Sequence, residues 1–343
     1  EVAPEGQRVL EAAEQVAGDF HLDFQTHPWG SEYYLRYGRM MPKDALKILE
    51  GYDAVYFGAV GLPGTVPDHV TLWGLLLPIR KGFEQYVNLR PVRLLPGLTG
   101  PLRDKRAEDI DFVCVRENSE GEYSGVGGRM HSGTAHEIAL QTSVFTRQAV
   151  ERVMRFSFEL ARGRPKRKLT SVTKSNACQY TMVLWDDIFS ELAAEFPEVE
   201  TEQWHVDAMA ARFITHPETL DVIVASNLFA DILTDLGGAL VGSLGMAPSC
   251  NLNPERRWPS MFEPVHGSAP DIAGEGIANP IAMIWSGALM LDFLGEEETA
   301  NLIVSAIERV TAEGMTLTPD LSGTSRTTEV TQAIIDELRA LAA

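Results

Sequence analysis

The chain has 343 residues, of which 45% are hydrophobic and 8% aromatic, as in globular proteins rather than disordered ones. Its formal net charge of −19 disfavours nucleic-acid binding, which depends on cationic contacts to phosphates. No apolar run reaches the roughly 18–20 residues of a membrane helix, and the first residues lack the pattern of a signal peptide. Three widely spaced cysteines, Cys114, Cys178 and Cys250, favour a reducing compartment over a disulfide framework or a zinc site. A soluble, cytoplasmic protein is expected.

Strand and helix patterns alternate in chain order. An amphipathic helix at 7–20 precedes a predicted strand at 21–26, a helix at 42–52 and a buried strand at 53–61. Further strands are predicted at 86–97, 111–118, 136–145, 168–176, 199–207 and 221–227. Further helices are predicted at 72–86, 146–163, 185–197, 279–294, 296–313 and 329–341.

This alternation predicts an α/β fold with a largely parallel sheet. No G-x-G-x-x-G motif opens a helix after a strand, and GAVGLPG at 58–64 runs into a proline-rich loop, so a Rossmann dinucleotide site is not expected. The glycine-rich segment 123–134 predicts an exposed hairpin or arm. Pro78 interrupts a helical pattern and is expected to kink it near Arg80.

Two aspartates, Asp231 and Asp235, stand four residues apart in the apolar helix SNLFADILTDLGGAL, so they share one face. Two buried like charges need a neutralising partner. Hydrogen bonds to the backbone or an arginine would serve, and so would a hard divalent cation. Asp207, at a predicted strand end, offers a third carboxylate. An all-carboxylate set favours Mg²⁺ or Mn²⁺ over Zn²⁺.

Three arginines, Arg80, Arg90 and Arg116, stand in otherwise apolar segments. Each could form a salt bridge with a nearby acid. Because ligands of α/β folds bind at the carboxyl ends of strands, and a guanidinium holds a carboxylate in a bidentate manner, the three together favour a dicarboxylate pocket.

Tyr123 and Lys174 both stand close to predicted strand ends. Each could be structural. They could also act as an acid–base pair, if burial and a nearby cation lower both pKa values toward neutrality.

A loop rich in glycine, proline and small residues, FEPVHGSAPDIAGEGIANP, covers 262–280. It contains three polar candidates, His266, Asp271 and Asn279. Such a loop could be a surface Ω-loop or could cradle an adenosine group with backbone and small side chains.

Taken in order, the motifs resemble one family over essentially the whole chain. They read NLRP, VREN, EGEYS, TKSN, VDAMAARF, NLFADILTDL and EPVHGSAPDIAGEGIANP. This order is similar to that of the β-decarboxylating dehydrogenases of 2-hydroxy acids, which include isocitrate, isopropylmalate, homoisocitrate and tartrate/D-malate dehydrogenases. The segments 59–74, 84–97 and 251–267 look most like the tartrate/D-malate members.

The resemblance implies a fold, an assembly and residue roles. It implies a two-lobed α/β fold with a mixed, largely parallel sheet, in which 1–86 and 242–343 form a cofactor lobe and 87–241 a substrate and dimerisation lobe. It implies a homodimer with shared active sites. The implied catalytic residues are Tyr123 as acid and Lys174 as base, with substrate carboxylates on Arg80, Arg90 and Arg116. The implied metal ligands are Asp231 and Asp235, completed by Asp207 of the neighbouring subunit.

The resemblance also implies a nicotinamide cofactor, a divalent Mg²⁺ or Mn²⁺ ion, and room for a monovalent cation such as K⁺. The implied cofactor residues are His266, Gly267, Ser268, Ala269, Asp271, Asn279 and Asn176. An acid at Asp271 would accept hydrogen bonds from the ribose hydroxyls and repel a 2′-phosphate, which favours NAD over NADP. Members of the family begin with a strand and a GDGIG turn, and we expect the corresponding residues to lie before Glu1.

Substrate choice is expected to depend on the segment before Arg80. TLWGLLLPIR has no small polar residue for a third carboxylate, and Trp73 and Pro78 are expected to narrow the space for a branched alkyl group. D-malate or tartrate is therefore favoured as substrate. Leu76 and Leu77 could still line the alkyl pocket of an isopropylmalate dehydrogenase. A metal-dependent hydrolase or lyase, and a non-catalytic regulatory subunit, are the alternatives from other classes.

Overall fold

The computed structural model describes residues 1–343. The helices are α1 (Val2–Ala17), α2 (Ser31–Tyr37), α3 (Ala45–Leu49), α4 (Asp68–Thr71), α5 (Leu77–Gly82), α6 (Arg147–Gly163), α7 (Thr181–Ala193), α8 (Val206–Thr215), α9 (Asn227–Leu240), α10 (Ile281–Leu294), α11 (Glu297–Glu313) and α12 (Thr327–Ala342). The strands are β1 (Ala54–Tyr56), β2 (Val87–Arg93), β3 (Asp111–Glu117), β4 (Gly121–Met130), β5 (Ile138–Val144), β6 (Lys168–Thr173), β7 (Glu200–His205), β8 (Val222–Ala225), β9 (Pro248–Leu252) and β10 (Ser260–Pro264). No helix is both long and apolar enough to cross a membrane.

The chain forms two compact units, each built from separated segments. Unit 1 comprises Glu1–Gln85, Arg93–Ile110 and Gly238–Ala343, and unit 2 comprises Tyr86–Val92 and Asp111–Gly237. Residues 93–110 lie in unit 1, whereas the sequence analysis placed them in the substrate and dimerisation lobe. One ion pair joins this segment to the rest of unit 1: Arg93 pairs with Glu308 of α11 at 2.5 Å.

Unit 1 contains the strand order β1-β10-β9, with β1 parallel and β9 antiparallel to β10. The long helices α1, α10, α11 and α12 pack against one another in this unit. Helix α10 is almost entirely buried, which explains why its sequence is apolar all round. A mostly apolar cavity of about 1010 Å³ lies in unit 1 near α1, β1 and the segment 20–32.

Unit 2 contains the strand order β2-β3-β8-β6-β7. Strand β8 runs parallel to both β3 and β6, and β6 runs parallel to β7, so these four strands end at the same edge of the sheet. In register, Arg116 lies opposite Ala225, and Thr173 lies opposite His205. Polar residues that follow these strand ends are thereby brought to one edge. The mixed, largely parallel α/β fold expected from the sequence is confirmed.

The strand predicted at 21–26 is wrong, because that segment is extended without a strand partner. Its amide at Leu22 instead donates to the side chain of Glu14. Two real strands, β9 and β10, were missed in the C-terminal region, where mainly helix was predicted. Both are buried on both faces and carry a proline at one end, so neither shows the alternation that signals a strand.

The helix predicted at 72–86 begins earlier, at Asp68, and ends at Gly82. In its middle, Leu72–Leu76 forms a π-helical turn, in which the amide of Leu77 donates to the carbonyl of Leu72. Pro78 has no amide hydrogen for the ordinary bond to Gly74, and the wider turn precedes it directly. The irregularity expected near Arg80 therefore takes the form of a π turn.

The expected hairpin is present as β4 and β5, which pair antiparallel in a separate two-stranded sheet. Most of its residues are exposed to solvent. The three cysteines are free, as expected for a chain without disulfides.

Candidate active site

The edge of the sheet in unit 2 carries the largest group of the residues singled out in the sequence. Arg116 lies near the end of β3, Lys174 follows β6, Asp207 follows β7, and α9 with Asp231 follows β8. Carboxyl ends of parallel strands are the usual position of ligand sites in α/β folds. The arrangement follows from topology, because strands that are parallel neighbours must end side by side.

Arg116 is 3% exposed and is held by two residues of α9. Its Nε and Nη2 both donate to the side-chain oxygen of Asn227, at 3.0 and 2.7 Å. Its Nη1 donates to Asp231 Oδ1 in a short, charged hydrogen bond. The guanidinium therefore has a fixed plane and one anionic partner.

Arg90 is held in a similar way within unit 2. Its Nε donates to Asn88 Oδ1 at 2.7 Å, which is possible because residues two apart on a strand share a face. Its Nη1 donates to Thr234 Oγ1 at 2.6 Å, and its Nη2 lies 3.4 Å from Asp231 Oδ1. Arg90 is 6% exposed, whereas the side chain of Asp231 is 38% exposed. Two buried cations thus meet one accessible carboxylate.

Tyr123 joins the same group from β4. Its hydroxyl donates to Asp231 Oδ2 at 3.2 Å, and the guanidinium of Arg116 lies 5.4 Å from the centre of its ring. Burial and the charge of Asp231 raise the pKa of Tyr123, although Arg116 opposes this change. Within this chain, the pKa of Tyr123 is thus shifted upward rather than toward neutrality. A phenol with a raised pKa keeps its proton, which suits an acid.

Asp235 lies one turn beyond Asp231 on α9 and is exposed. Partial burial and the negative charge of Asp231 raise its pKa, while Arg90 and Arg116 lower it. Both carboxylates present oxygen ligands of the kind that Mg²⁺ and Mn²⁺ prefer. Within one chain, no three acidic, histidine or cysteine side chains form a metal-binding group, so Asp207 does not complete this pair.

Lys174 and Asp207 form a second pair at the same edge of the sheet. Lys174 Nζ donates to Asp207 Oδ1 at 2.6 Å, with side chains that are 27% and 68% exposed. This hydrogen bond is the main cause of the lowered pKa of Asp207. The two residues face solvent in one chain, so they are accessible to another molecule.

Arg80, the third predicted substrate arginine, belongs to unit 1. It is 6% exposed, and its Nη2 donates to Glu263 Oε1 at 2.7 Å. Asn251 Nδ2 donates to the same oxygen at 2.7 Å. A buried carboxylate therefore orients this arginine.

The segment 265–280 of unit 1 is a loop of turns with partly exposed small residues. Gly267, Ala269 and Asp271 are exposed and Ser268 is half-buried. His266 Nδ1 lies 2.9 Å from the carbonyl of Gly267, whereas Nε2 is buried without a hydrogen-bond partner. Burial lowers the pKa of His266, which favours the neutral ring.

Asn279 differs from the other loop residues because both ends of its side chain are used internally. Its Oδ1 accepts from the amide of Ile281 at 3.0 Å, at the start of α10, and its Nδ2 donates to Asp320 at 3.0 Å. Asn176, the remaining predicted cofactor residue, lies exposed in unit 2.

None of the predicted site residues lines the 1010 Å³ cavity of unit 1. Residues that the sequence interpretation missed are instead Asn88, Asn227 and Thr234, which orient the arginines. Only spacing could have indicated them: Asn88 is two residues from Arg90, and Asn227 and Thr234 lie on the helical face of Asp231.

The fold and this cluster of arginines, aspartates and a tyrosine define the class of protein. The chain belongs to the isocitrate/isopropylmalate dehydrogenase family, which it matches over residues 1–338. The resemblance inferred from the motifs is thereby confirmed.

Individual relatives narrow the comparison. A probable tartrate dehydrogenase/decarboxylase of Agrobacterium vitis is 56% identical over 338 residues, 98% of this chain and 94% of that protein. A D-malate dehydrogenase (decarboxylating) of Escherichia coli (strain K12) is 55% identical over 340 residues, 97% of this chain and 94% of that protein. The crystal structure of isocitrate dehydrogenase from Methylococcus capsulatus superimposes with a TM-score of 0.88 at 32% identity, covering 98% of this chain and 95% of that one.

Proposed function

We propose that the chain catalyses the NAD-dependent and metal-dependent oxidative decarboxylation of a small 2-hydroxy dicarboxylic acid, D-malate or tartrate. The observation that carries the proposal is the convergence of Arg90, Arg116 and Tyr123 on the half-exposed Asp231. Two buried guanidinium groups and the phenol of an acid therefore lie around one carboxylate that would also bind the metal ion. The relatives named as tartrate and D-malate dehydrogenases support this choice of substrate.

The residues present fit a divalent cation. Asp231 and Asp235 would hold Mg²⁺ or Mn²⁺ through carboxylate oxygens, and Asp207 of the partner subunit would complete the set. When bound, the ion would lower the pKa of the substrate hydroxyl and polarise the carbonyl that replaces it.

The chain's own residues would then bind and move protons. Arg80, Arg90 and Arg116 would bind the substrate carboxylates. Lys174 of the partner subunit would accept the proton of the C2 hydroxyl, and NAD⁺, when bound, would supply the hydride acceptor for the oxidation at C2. After CO₂ leaves, Tyr123 gives its proton to the carbon that carried it. Oxidation comes first, because only the ketone accepts the electron pair released by C–C cleavage.

The loop 262–280 fits the adenosine half of NAD. The unpartnered Nε2 of His266 lies in it, which leaves a polar position for a ligand. The exposed carboxylate of Asp271 suits ribose hydroxyls and repels a 2′-phosphate, which supports NAD over NADP. Unit 1 would be the cofactor lobe.

We also propose a homodimer, built through unit 2. Cross-strand neighbours share a face of the hairpin, and this face carries Val126, Met130, Ile138 and Leu140, which are 44–60% exposed. An exposed apolar face of this kind marks an association surface. Lys174 and Asp207, paired and open to solvent, would serve the active site of the partner.

Specificity is proposed to favour small substrates. Leu77 is 2% exposed and so cannot form part of an open apolar wall, whereas Leu76 is half-buried. Trp73, which is 43% exposed on the same π turn as Leu76, is proposed to supply the bulk that narrows the pocket. A pocket that tolerates a methylene discriminates by only roughly 10–200-fold, so exclusion by bulk should exceed that range.

Comparison of kcat/KM for D-malate, the tartrate isomers and 3-isopropylmalate tests the proposal, with NAD or NADP and with Mg²⁺ or Mn²⁺, each with and without K⁺. We expect NADH formation with D-malate or tartrate, and at least about 200-fold less with 3-isopropylmalate. An equal or higher value for 3-isopropylmalate would assign the alternative substrate. Turnover without NADH formation would favour a hydrolase or lyase, and no turnover at all a regulatory subunit.

A further inference from the structure

Arg90 and Arg116 share an uncommon feature: uncharged carboxamides accept from the Nε of both. Asn88 Oδ1 lies 2.7 Å from Nε of Arg90, and Asn227 Oδ1 lies 3.0 Å from Nε of Arg116. Both asparagines are buried, at 0% and 2% exposed. These contacts fix the planes of the guanidinium groups and add no negative charge.

Two other arginines of low exposure, Arg80 and Arg164, are held differently. Arg80 donates to the carboxylate of Glu263 at 2.7 Å, and Arg164 donates to the buried carboxylate of Asp221 at 2.5 Å. A carboxylate is the usual partner of a desolvated guanidinium, because it compensates the charge. Arg90 and Arg116 differ from Arg80 and Arg164 because each combines a neutral acceptor on Nε with the accessible carboxylate of Asp231.

The charges of the cluster show what this difference achieves. Two arginines face two aspartates, Asp231 and Asp235, so the four charges cancel. Lys174 and Asp207 of the partner subunit, proposed above to serve this site, would add one charge of each sign. A divalent cation on the aspartates would therefore bring the net charge to +2, which matches a substrate with two carboxylates. A carboxylate at either asparagine position would reduce this value by one while preserving the hydrogen-bond geometry.

We propose that Asn88 and Asn227 are positioning residues that orient the substrate arginines without neutralising them, and so set the site's charge for a dianion. The proposal rests on the function proposed above. Its closest test is Asn227→Asp, which is nearly isosteric and keeps both acceptor contacts to Arg116. Asn227→Ala removes the contacts without adding charge. Asn301→Asp, on the exposed surface of α11, adds the same charge elsewhere.

Binding of D-malate and of Mn²⁺ would be measured by isothermal titration calorimetry, with D-malate titrated in the presence of Mn²⁺ and without NAD. For Asn227→Asp we expect the Kd of D-malate to rise roughly tenfold or more, because a like charge is brought next to the substrate. The Kd of Mn²⁺ should stay equal or fall. In Asn227→Asp, the KM for D-malate should rise by a larger factor than kcat falls. Asn88→Asp should show the same changes as Asn227→Asp. Asn227→Ala should raise the Kd of D-malate by less than Asn227→Asp does. Asn301→Asp should change neither the Kd of D-malate nor that of Mn²⁺.

Several results would overturn the inference. One such result is an unchanged affinity of Asn227→Asp for D-malate. Another is equally weak binding of D-malate by Asn227→Ala and Asn227→Asp, which would leave orientation of Arg116 as the only role of Asn227. Parallel loss of Mn²⁺ binding and of thermal stability would indicate a purely structural role. Failure of the proposed function would look different, since the wild-type chain would then form no NADH with D-malate and would not bind it.

Discussion

Asp231 is the residue on which the proposed chemistry depends most, because a tyrosine, two arginines and a metal ion would all use its carboxylate. Tyr123 donates to one of its oxygens and Arg116 to the other. Residue types and spacing were enough to select Asp231, Arg90 and Arg116 from the sequence. The asparagines that orient the arginines were not found, since a buried carboxamide has no charge or reactivity that would distinguish it in a sequence.

Tyr123→Phe should separate the two halves of the reaction. Decarboxylation of the β-keto acid should fall by roughly 10²–10⁴ and oxidation by less, because the phenol gives its proton only after CO₂ has left. The measurement is the release of β-keto acid against CO₂ and NADH. Equal losses in both steps would remove Tyr123 from this role.

The wild-type enzyme should show no alkaline loss of decarboxylation from Tyr123 within the neutral range. The pKa of this phenol is raised from 10.0 by burial and by Asp231, so its proton is retained as the pH rises toward that value. The pH profile of β-keto acid decarboxylation checks this. A Tyr123-dependent decline with an apparent pKa of 7–8, absent from the phenylalanine variant, would contradict it.

Lys174→Met should remove activity by roughly 10²–10⁴ and leave stability nearly unchanged, because its partner Asp207 is exposed. The lowered pKa of Asp207 contributes to folding above the unfolded value near 3.8, and this contribution is lost only as the pH falls through the lower, folded value. Because the pair is exposed and contributes little, denaturation midpoints between pH 6 and 8 should nearly coincide for the two proteins, and any small difference should disappear as the pH falls through the folded pKa of Asp207. Glu191→Gln, which breaks the exposed pair with Arg147, is the control and should keep full activity. A lower midpoint for Lys174→Met alone would give the pair a structural role.

At the scale of elements, the clearest departure from a regular helix is the π turn before α5. The sequence predicted an irregularity of the helix at Pro78, because a proline has no backbone N–H to donate. It did not indicate that Gly74, within the wider turn, lies against Met40 in the core of unit 1, because a contact between distant segments leaves no local pattern. Strands β9 and β10 were missed for a related reason: burial on both faces erases the alternation.

Gly74→Ala should destabilise unit 1 through this packing. A Cβ at Gly74 would lie 2.7 Å from Cγ of the buried Met40, and such overpacking costs about 1–3 kcal/mol. Urea denaturation would measure the change. Gly163→Ala, at the end of α6, has open space around its Cβ and should be neutral or slightly stabilising. Equal midpoints for Gly74→Ala and wild type would mean that the turn shifts freely.

At the scale of the whole molecule, the proposed sharing of sites predicts complementation between subunits. Lys174 and Tyr123 have separate partners within one chain, and each would act with the other only across the dimer. Randomly reassembled mixtures of Lys174→Met and Tyr123→Phe chains should recover about a quarter of wild-type activity, since half of the dimers would carry one intact site of two. Each variant reassembled alone is the control. Absence of recovery in verified mixed dimers would place each site within one chain.

The division of unit 1 into separated segments has a consequence for how the protein is made. Helix α1 ends at Ala17, and its packing partners α10, α11 and α12 begin only at Ile281. At about 5–20 residues per second, a ribosome needs on the order of 10–50 s to supply them. Unit 2 is complete once Gly237 has emerged, so it can fold first. During this interval the apolar face of α1, with Val9 and Leu10, stays uncovered, and we expect nascent chains of this length to depend on a chaperone that recognises such a face.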